Sequence, residues 1–201
     1  MTMNLRSAAA LVAVGLLSPA ARAADVYVFD KAHTDVSFRV RHLVTQVHGR
    51  FTDFNGAVTV APEPKASSVE LAIKAASVDT ANERRDQDLR SANFFDVEKF
   101  PEITFVSTKV MATGKDEYDV VGTLTMHGVS REITLPVTFL GFVKDPRGNE
   151  KAGFATSVTL DRREFGLVWN RAIETGGMLL GDEVRVTIDI EANKQKEDAS
   201  K

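Results

Sequence analysis

The stretch Tyr118 to Phe139, YDVVGTLTMHGVSREITLPVTF, limits the folds open to this chain more than any other. Leu124 and Met126 alternate with Thr123 and Thr125, the pattern breaks at His127-Gly128, and Ile133, Leu135, Val137 and Phe139 then alternate with polar neighbours. Side chains of a strand point to opposite faces with period two, so two such runs around a glycine predict a β-hairpin with one buried face. Pro136 falls on the polar parity, where a residue without an N–H suits a sheet edge, a bulge or a bend. One apolar face requires another opposite it.

The remaining chain supplies more strands of this kind. Val26 to Phe29 reads as a strand, and Val36, Phe38, Val40 and His42 share one parity in the next. Gln46 to Val60 is extended, with a bulge or bend expected where the aromatics change parity between Phe51 and Phe54. Val69, Leu71 and Ile73 form another apolar face, as do Ile103 and Phe105, then Phe154, Thr156, Val158 and Leu160, then Val184, Val186, Ile188 and Ile190. Helix is expected only within Thr80 to Leu89, a polar surface turn capped by Thr80 or Asn82. In the following turn, at least one of Phe94 and Phe95 should cover an end of the core. Eight or more antiparallel strands with one charged face predict a sheet closed on itself, because closure removes exposed edges. Eight strands enclose room for one small ligand.

The amino terminus carries its own signal. Arg6, the apolar run Ala8 to Leu17 and the small-x-small Ala21-Arg22-Ala23 read as a secretory leader, residues 1–23, cleaved before a mature domain spanning 24–192. About 20 apolar residues are needed to span a bilayer, so this run is too short for an anchor. Residues 193–201 read as a polar flexible tail. Loss of Arg6 and Arg22 takes the formal charge from −3 to −5, a poor match for nucleic acid or an anionic membrane surface. The chain has no cysteine, which excludes thiol catalysis and thiolate metal sites and leaves an exported fold to be held by packing and hydrogen bonds. Twelve phenylalanines against one tryptophan and two tyrosines suit a core or a greasy cavity, since phenylalanine has no polar group to satisfy.

Chemical motifs are sparse. His33, His42, His48 and His127 show no HxH or HExxH spacing, and no nucleophile elbow or P-loop is present. Asp161, Glu164 and Asp182 flank glycine turns, where solvated caps are commoner than catalytic pairs. Met178-Leu179-Leu180, bounded by glycines, reads as an apolar loop that gates a cavity or covers the core. Arg162 to Asn170 either seats a lipid with its polar head at a rim or is a core aromatic beside solvated charges.

Five segments carry a resemblance: RHLVTQVHGRFTDFNGAV (41–58), RDQDLRSANFFDVEKFPEITFVST (85–108), GTLTMHGVSREITLPV (122–137), DRREFGLVWN (161–170) and GDEVRVTIDIEA (181–192). In order and over nearly the whole mature chain, they resemble the YceI-like family of bacterial periplasmic proteins. Family members often carry a histidine where this chain has Asp88. The resemblance implies an all-β, extended eight-stranded lipocalin-like barrel with one short helical connection. Its channel would hold a polyisoprenoid or similar lipid. It further implies a periplasmic carrier or storage protein rather than an enzyme, without cofactor, often dimeric, and associated with isoprenoid quinone metabolism and stress responses.

Parity and resemblance together nominate Phe38, Val40, Val58, Leu71, Ile73, Phe105, Leu135, Val137, Phe139, Phe154, Val158, Trp169 and Ile188 as channel lining, with His42, His127, Asn170 and Arg171 at the rim. A rival reading is a periplasmic enzyme using His127 or His48 with a nearby carboxylate. An outer-membrane barrel is a poorer fit, because its outward parity would be apolar and here it is charged.

Overall fold

The computed structural model describes residues 24–174 and 176–196. The expected leader lies outside the described residues, as do 197–201. In chain order the elements are β1 (Asp25–Phe29), β2 (Asp35–His42), β3 (Thr45–Phe51), β4 (Phe54–Val60), β5 (Ser68–Lys74), β6 (Val78–Asp79), α1 (Glu83–Arg90), β7 (Glu102–Gly114), β8 (Glu117–Met126), β9 (Val129–Lys144), β10 (Glu150–Asp161) and β11 (Leu180–Lys194). Eight of the strands close an antiparallel ring, β1-β4-β5-β7-β8-β9-β10-β11, with β11 pairing back to β1.

The nominated hairpin is β8–β9, in register from Glu117↔Thr138 to Met126↔Val129. His127 at φ 52° and Gly128 at φ 75° give it the doubly left-handed turn whose twist matches its strands. At 16 residues, β9 extends about 50 Å at ~3.3 Å per residue, which makes this a long barrel.

Closure depends on β11. Its last residues pair with β1 (Phe29↔Ala192, Tyr27↔Lys194), while Leu180 and Val184–Asp189 pair with β2. β1 and β2 therefore lie end to end along β11. The next strands repeat the arrangement: β4 pairs with β1, β3 with β2, and the bend expected between Phe51 and Phe54 is the Thr52-Asp53 corner between them. Both flanking phenylalanines are buried. The carboxyl-terminal strand runs past the expected tail boundary, because Asn193 and Lys194 are paired strand residues and Lys194 forms ion pairs with Asp25 (2.8 Å) and Glu150 (3.4 Å).

At the β2–β3 end the wall opens along two seams. β6 pairs only with Arg50 and Phe51 of β3, and α1 packs beside it. The ladder between β9 and β10 stops at Val137↔Thr156. There Pro136 has no N–H to donate, and the Thr156 hydroxyl donates to its carbonyl at 2.7 Å. The short 3-10 turn Arg162–Phe165 packs on β9 along this seam.

α1 begins as expected at Asn82, whose side-chain oxygen accepts from the Arg85 N–H at 3.0 Å. Thr80 does not cap it. Its hydroxyl and N–H donate to the carboxylate of buried Asp86 at 2.6 and 2.9 Å. A polar sequence can thus roof an apolar interior, because its one buried acid is satisfied and its single apolar residue, Leu89, turns inward.

Candidate functional site: an apolar channel in two chambers

Inside the ring lie two apolar cavities. The larger, about 770 Å³, occupies the β2–β3 end beneath α1, and the smaller, about 210 Å³, occupies the β1–β4 end. Neither is a filled core, although the same inward parity would build one.

Of the nominated residues, Phe38, Val40, Ile73, Val158, Trp169 and His42 line the larger cavity. Val58, Val137, Phe139 and Phe154 line the smaller. Leu71, Phe105, Leu135 and Ile188 face both. The aromatic rings support one another: Phe139 packs at 5.4 Å on Phe154 and 4.8 Å on Phe142, and Phe38 at 5.7 Å on Phe51. Leu179 and Leu180 of the glycine-bounded loop help wall the larger cavity.

His127, Asn170 and Arg171 line neither cavity. His127 packs edge-on against Phe100, with ring centroids 4.8 Å apart, and its Nδ1 lies 3.3 Å from the Phe165 carbonyl oxygen. Asn170 is a backbone staple: its amide donates to the Leu180 carbonyl and accepts from the Leu180 N–H, both at 3.0 Å. Arg171 is exposed and accepts from the Leu179 N–H at 2.8 Å through its carbonyl. His48 sits exposed on β3, opposite Arg39 of β2.

α1 and its cap add Asn82, Arg84, Arg85 and Asp88 to the polar groups at the larger cavity, beside Ser37, His42, Thr156 and Arg162 of the wall. Arg85 donates to the Thr80 hydroxyl (2.7 Å) and carbonyl (2.8 Å). Sequence reasoning placed this helix on the surface because its charges dominate; Leu89, the lone apolar residue in ERRDQDLR, was the signal that it covers something. Phe94 and Phe95 both reach the cavity, the former 5.2 Å from the Trp169 ring and the latter 5.7 Å from Phe51.

Arg162 is buried and binds the loop beyond it. Its Nε donates to the Gly181 carbonyl at 3.0 Å, its Nη1 to the carbonyls of Trp169 (2.8 Å) and Leu167, and its Nη2 to Asp182 at 3.1 Å. Burial pushes this guanidinium below its ordinary value. Asp161 is held down at about 2, chiefly by the Arg163 guanidinium hydrogen-bonded to it. Asp161 and Asp182 are thus engaged in ion pairs with Arg162 and Arg163.

Asp30, His33 and Glu191 converge outside the cavities. Lys151 already supplies a cation there, 3.1 Å from Asp30 and 2.5 Å from Glu191. A hydrogen bond from His33, followed by one from Lys151, holds the Asp30 carboxyl well below the usual range.

The description YceI-like domain matches residues 27–192 of the chain. A UPF0312 protein of Pseudomonas putida strain GB-1 is 38% identical over 193 residues, covering 94% of this chain and 97% of the relative. Solved structures share the fold, two of them being the following. BcnA of Burkholderia cenocepacia has a TM-score of 0.73 and 24% identity over 82% of this chain and 99% of its own. A polyisoprenoid binding domain from Saccharophagus degradans, implicated in plant cell wall breakdown, has a TM-score of 0.62 and 17% identity over 85% and 98%.

Proposed function

The chain belongs to the YceI-like family, and from that premise we propose that it is a carrier or store for a long apolar lipid of the polyisoprenoid or isoprenoid-quinone kind. The carrying observation is the pair of apolar cavities strung along one closed barrel. A hydrocarbon tail has no solvent in water, and each buried methylene is worth about 0.8 kcal/mol. Phe38, Val40, Leu71, Phe105 and their neighbours offer contact without directional bonds, which suits a tail of repeated units. The name of the Saccharophagus neighbour agrees with that chemistry.

Residues 1–23 act as a cleaved leader in this reading, so the carrier works in the periplasm, alone or as a homodimer, and performs no catalysis. Among the described residues, no helix is long and apolar enough to cross a membrane. The histidines of the rival enzyme reading have other company, His127 at Phe100 and Phe165 and His48 on the outer face.

Native mass spectrometry of protein purified from its host's periplasm without detergent tests the reading. The expected result is a discrete adduct, released by organic solvent and identified as an isoprenoid. Phe105→Asp, which places a charge in the wall of the larger chamber, should reduce that adduct in a folded barrel. Adduct-free protein that also fails to take up added polyprenyl lipids would overturn the proposal.

A further inference from the structure

The two chambers meet at a belt. Leu71, Phe105, Leu135, Thr156 and Ile188 line both cavities, and they come from five different strands of the ring. Strand register sets Leu71 directly opposite Phe105 and Thr156 directly opposite Ile188. Phe105 is the bulkiest of the five and is only 3% exposed. Its ring lies over Gly122 of β8, where an added Cβ would stand 2.5 Å from Cζ. The ring therefore cannot retreat toward β8, and a smaller side chain at 105 would widen the passage.

We infer that this belt is a length gauge: the tail fills the larger chamber alone, and Phe105 stops it from entering the smaller one. This rests on the carrier reading above and adds the length of the tail to it. An apolar cavity of about 150 Å³ takes one benzene, which is about 25 Å³ per carbon and about 125 Å³ per five-carbon isoprene unit. At that scale the larger chamber holds about six units and the smaller about one or two more.

The test loads delipidated protein with an equimolar mixture of all-trans prenyl alcohols of four to ten isoprene units and reads occupancy by native mass spectrometry. In the wild type, retention should climb with each unit to about six and then stop climbing. Phe105→Ala should move that limit up by one or two units, raising the eight-unit to six-unit occupancy ratio at least tenfold. Leu135→Ala opens the same belt from another strand and should move the limit the same way, so the test survives failure of one variant to fold. A wild-type ratio that keeps climbing through eight units would overturn the gauge and leave the carrier intact. So would an unmoved limit in the folded variants. A wild type that retains no prenyl alcohol of any length would overturn the carrier and the gauge together.

Discussion

Two adjacent arginines should differ sharply when their charge is removed. Arg162 is 5% exposed and holds three backbone carbonyls and Asp182, whereas the Arg163 side chain is 54% exposed and meets only Asp161 and Asp182 at the surface. Arg162→Met keeps the apolar stem and strips the head, which leaves the carbonyls of Gly181, Leu167 and Trp169 without their donor. A buried acceptor stripped of its partner costs about 1–3 kcal/mol, while Asp182, 36% exposed and still paired with Arg163, adds little. Water reaching the loosened loop recovers part of this, so the expected cost is about 3 kcal/mol. For a domain of this size that lowers the melting temperature by about 6–12 °C at ~2–4 °C per kcal/mol. Arg163→Met removes exposed pairs worth about 0–1 kcal/mol and should shift the melt by less than about 3 °C. Calorimetry of both variants reads the difference. Hydrogen exchange should place the Arg162→Met loosening in residues 167–181, the loop that walls the larger chamber. Equal melting shifts for the two variants would refute the reasoning.

Two further predictions concern the rest of the barrel. Asp30, Glu150 and Asp161 all have carboxyls held below their ordinary values, by His33, Tyr27 and Arg163 respectively. As pH falls into the ordinary carboxyl range the unfolded chain binds more protons than the folded one, so their stabilisation is complete only above about pH 5 and is lost below it; for Asp161 the window runs from 3.8 to about 2. Asp161→Asn should flatten the fall in melting temperature across that window, and an unchanged slope would remove the pair from the account. Gly128→Ala forces a side chain into φ 75° with its Cβ 2.5 Å from the Phe100 ring. It should cost about 1–3 kcal/mol; a melt within 1 °C of wild type would show that the turn relaxes freely.

Much of the wall was legible because strand parity follows from covalent geometry. Phe38 and Val40 alternate with polar Ser37, Arg39 and Arg41, so they must share a face of their strand, as must Val186 and Ile188 beside Arg185, Thr187 and Asp189, and the turn at His127-Gly128 needs only local backbone preference. The candidate rim was harder to place. His127, Asn170 and Arg171 were named by residue type, yet His127 packs on Phe100 and Asn170 pins Leu180, because partners far along the chain decide what a polar side chain meets.

By itself, then, the sequence determined that this chain makes an all-β fold with an apolar interior, since period-two alternation gives every strand one face to hide, and closing the sheet as a barrel hides it without leaving edges. Only the tertiary structure decided whether that interior is solid or hollow, because filling and lining call for the same residues and differ only in the distance between opposite walls. It decided that α1 is a roof, that Pro136 ends a ladder, and that Arg162 rather than Arg163 is the buried staple. Each of these depends on which distant backbone arrives beside a residue, and no local pattern encodes that.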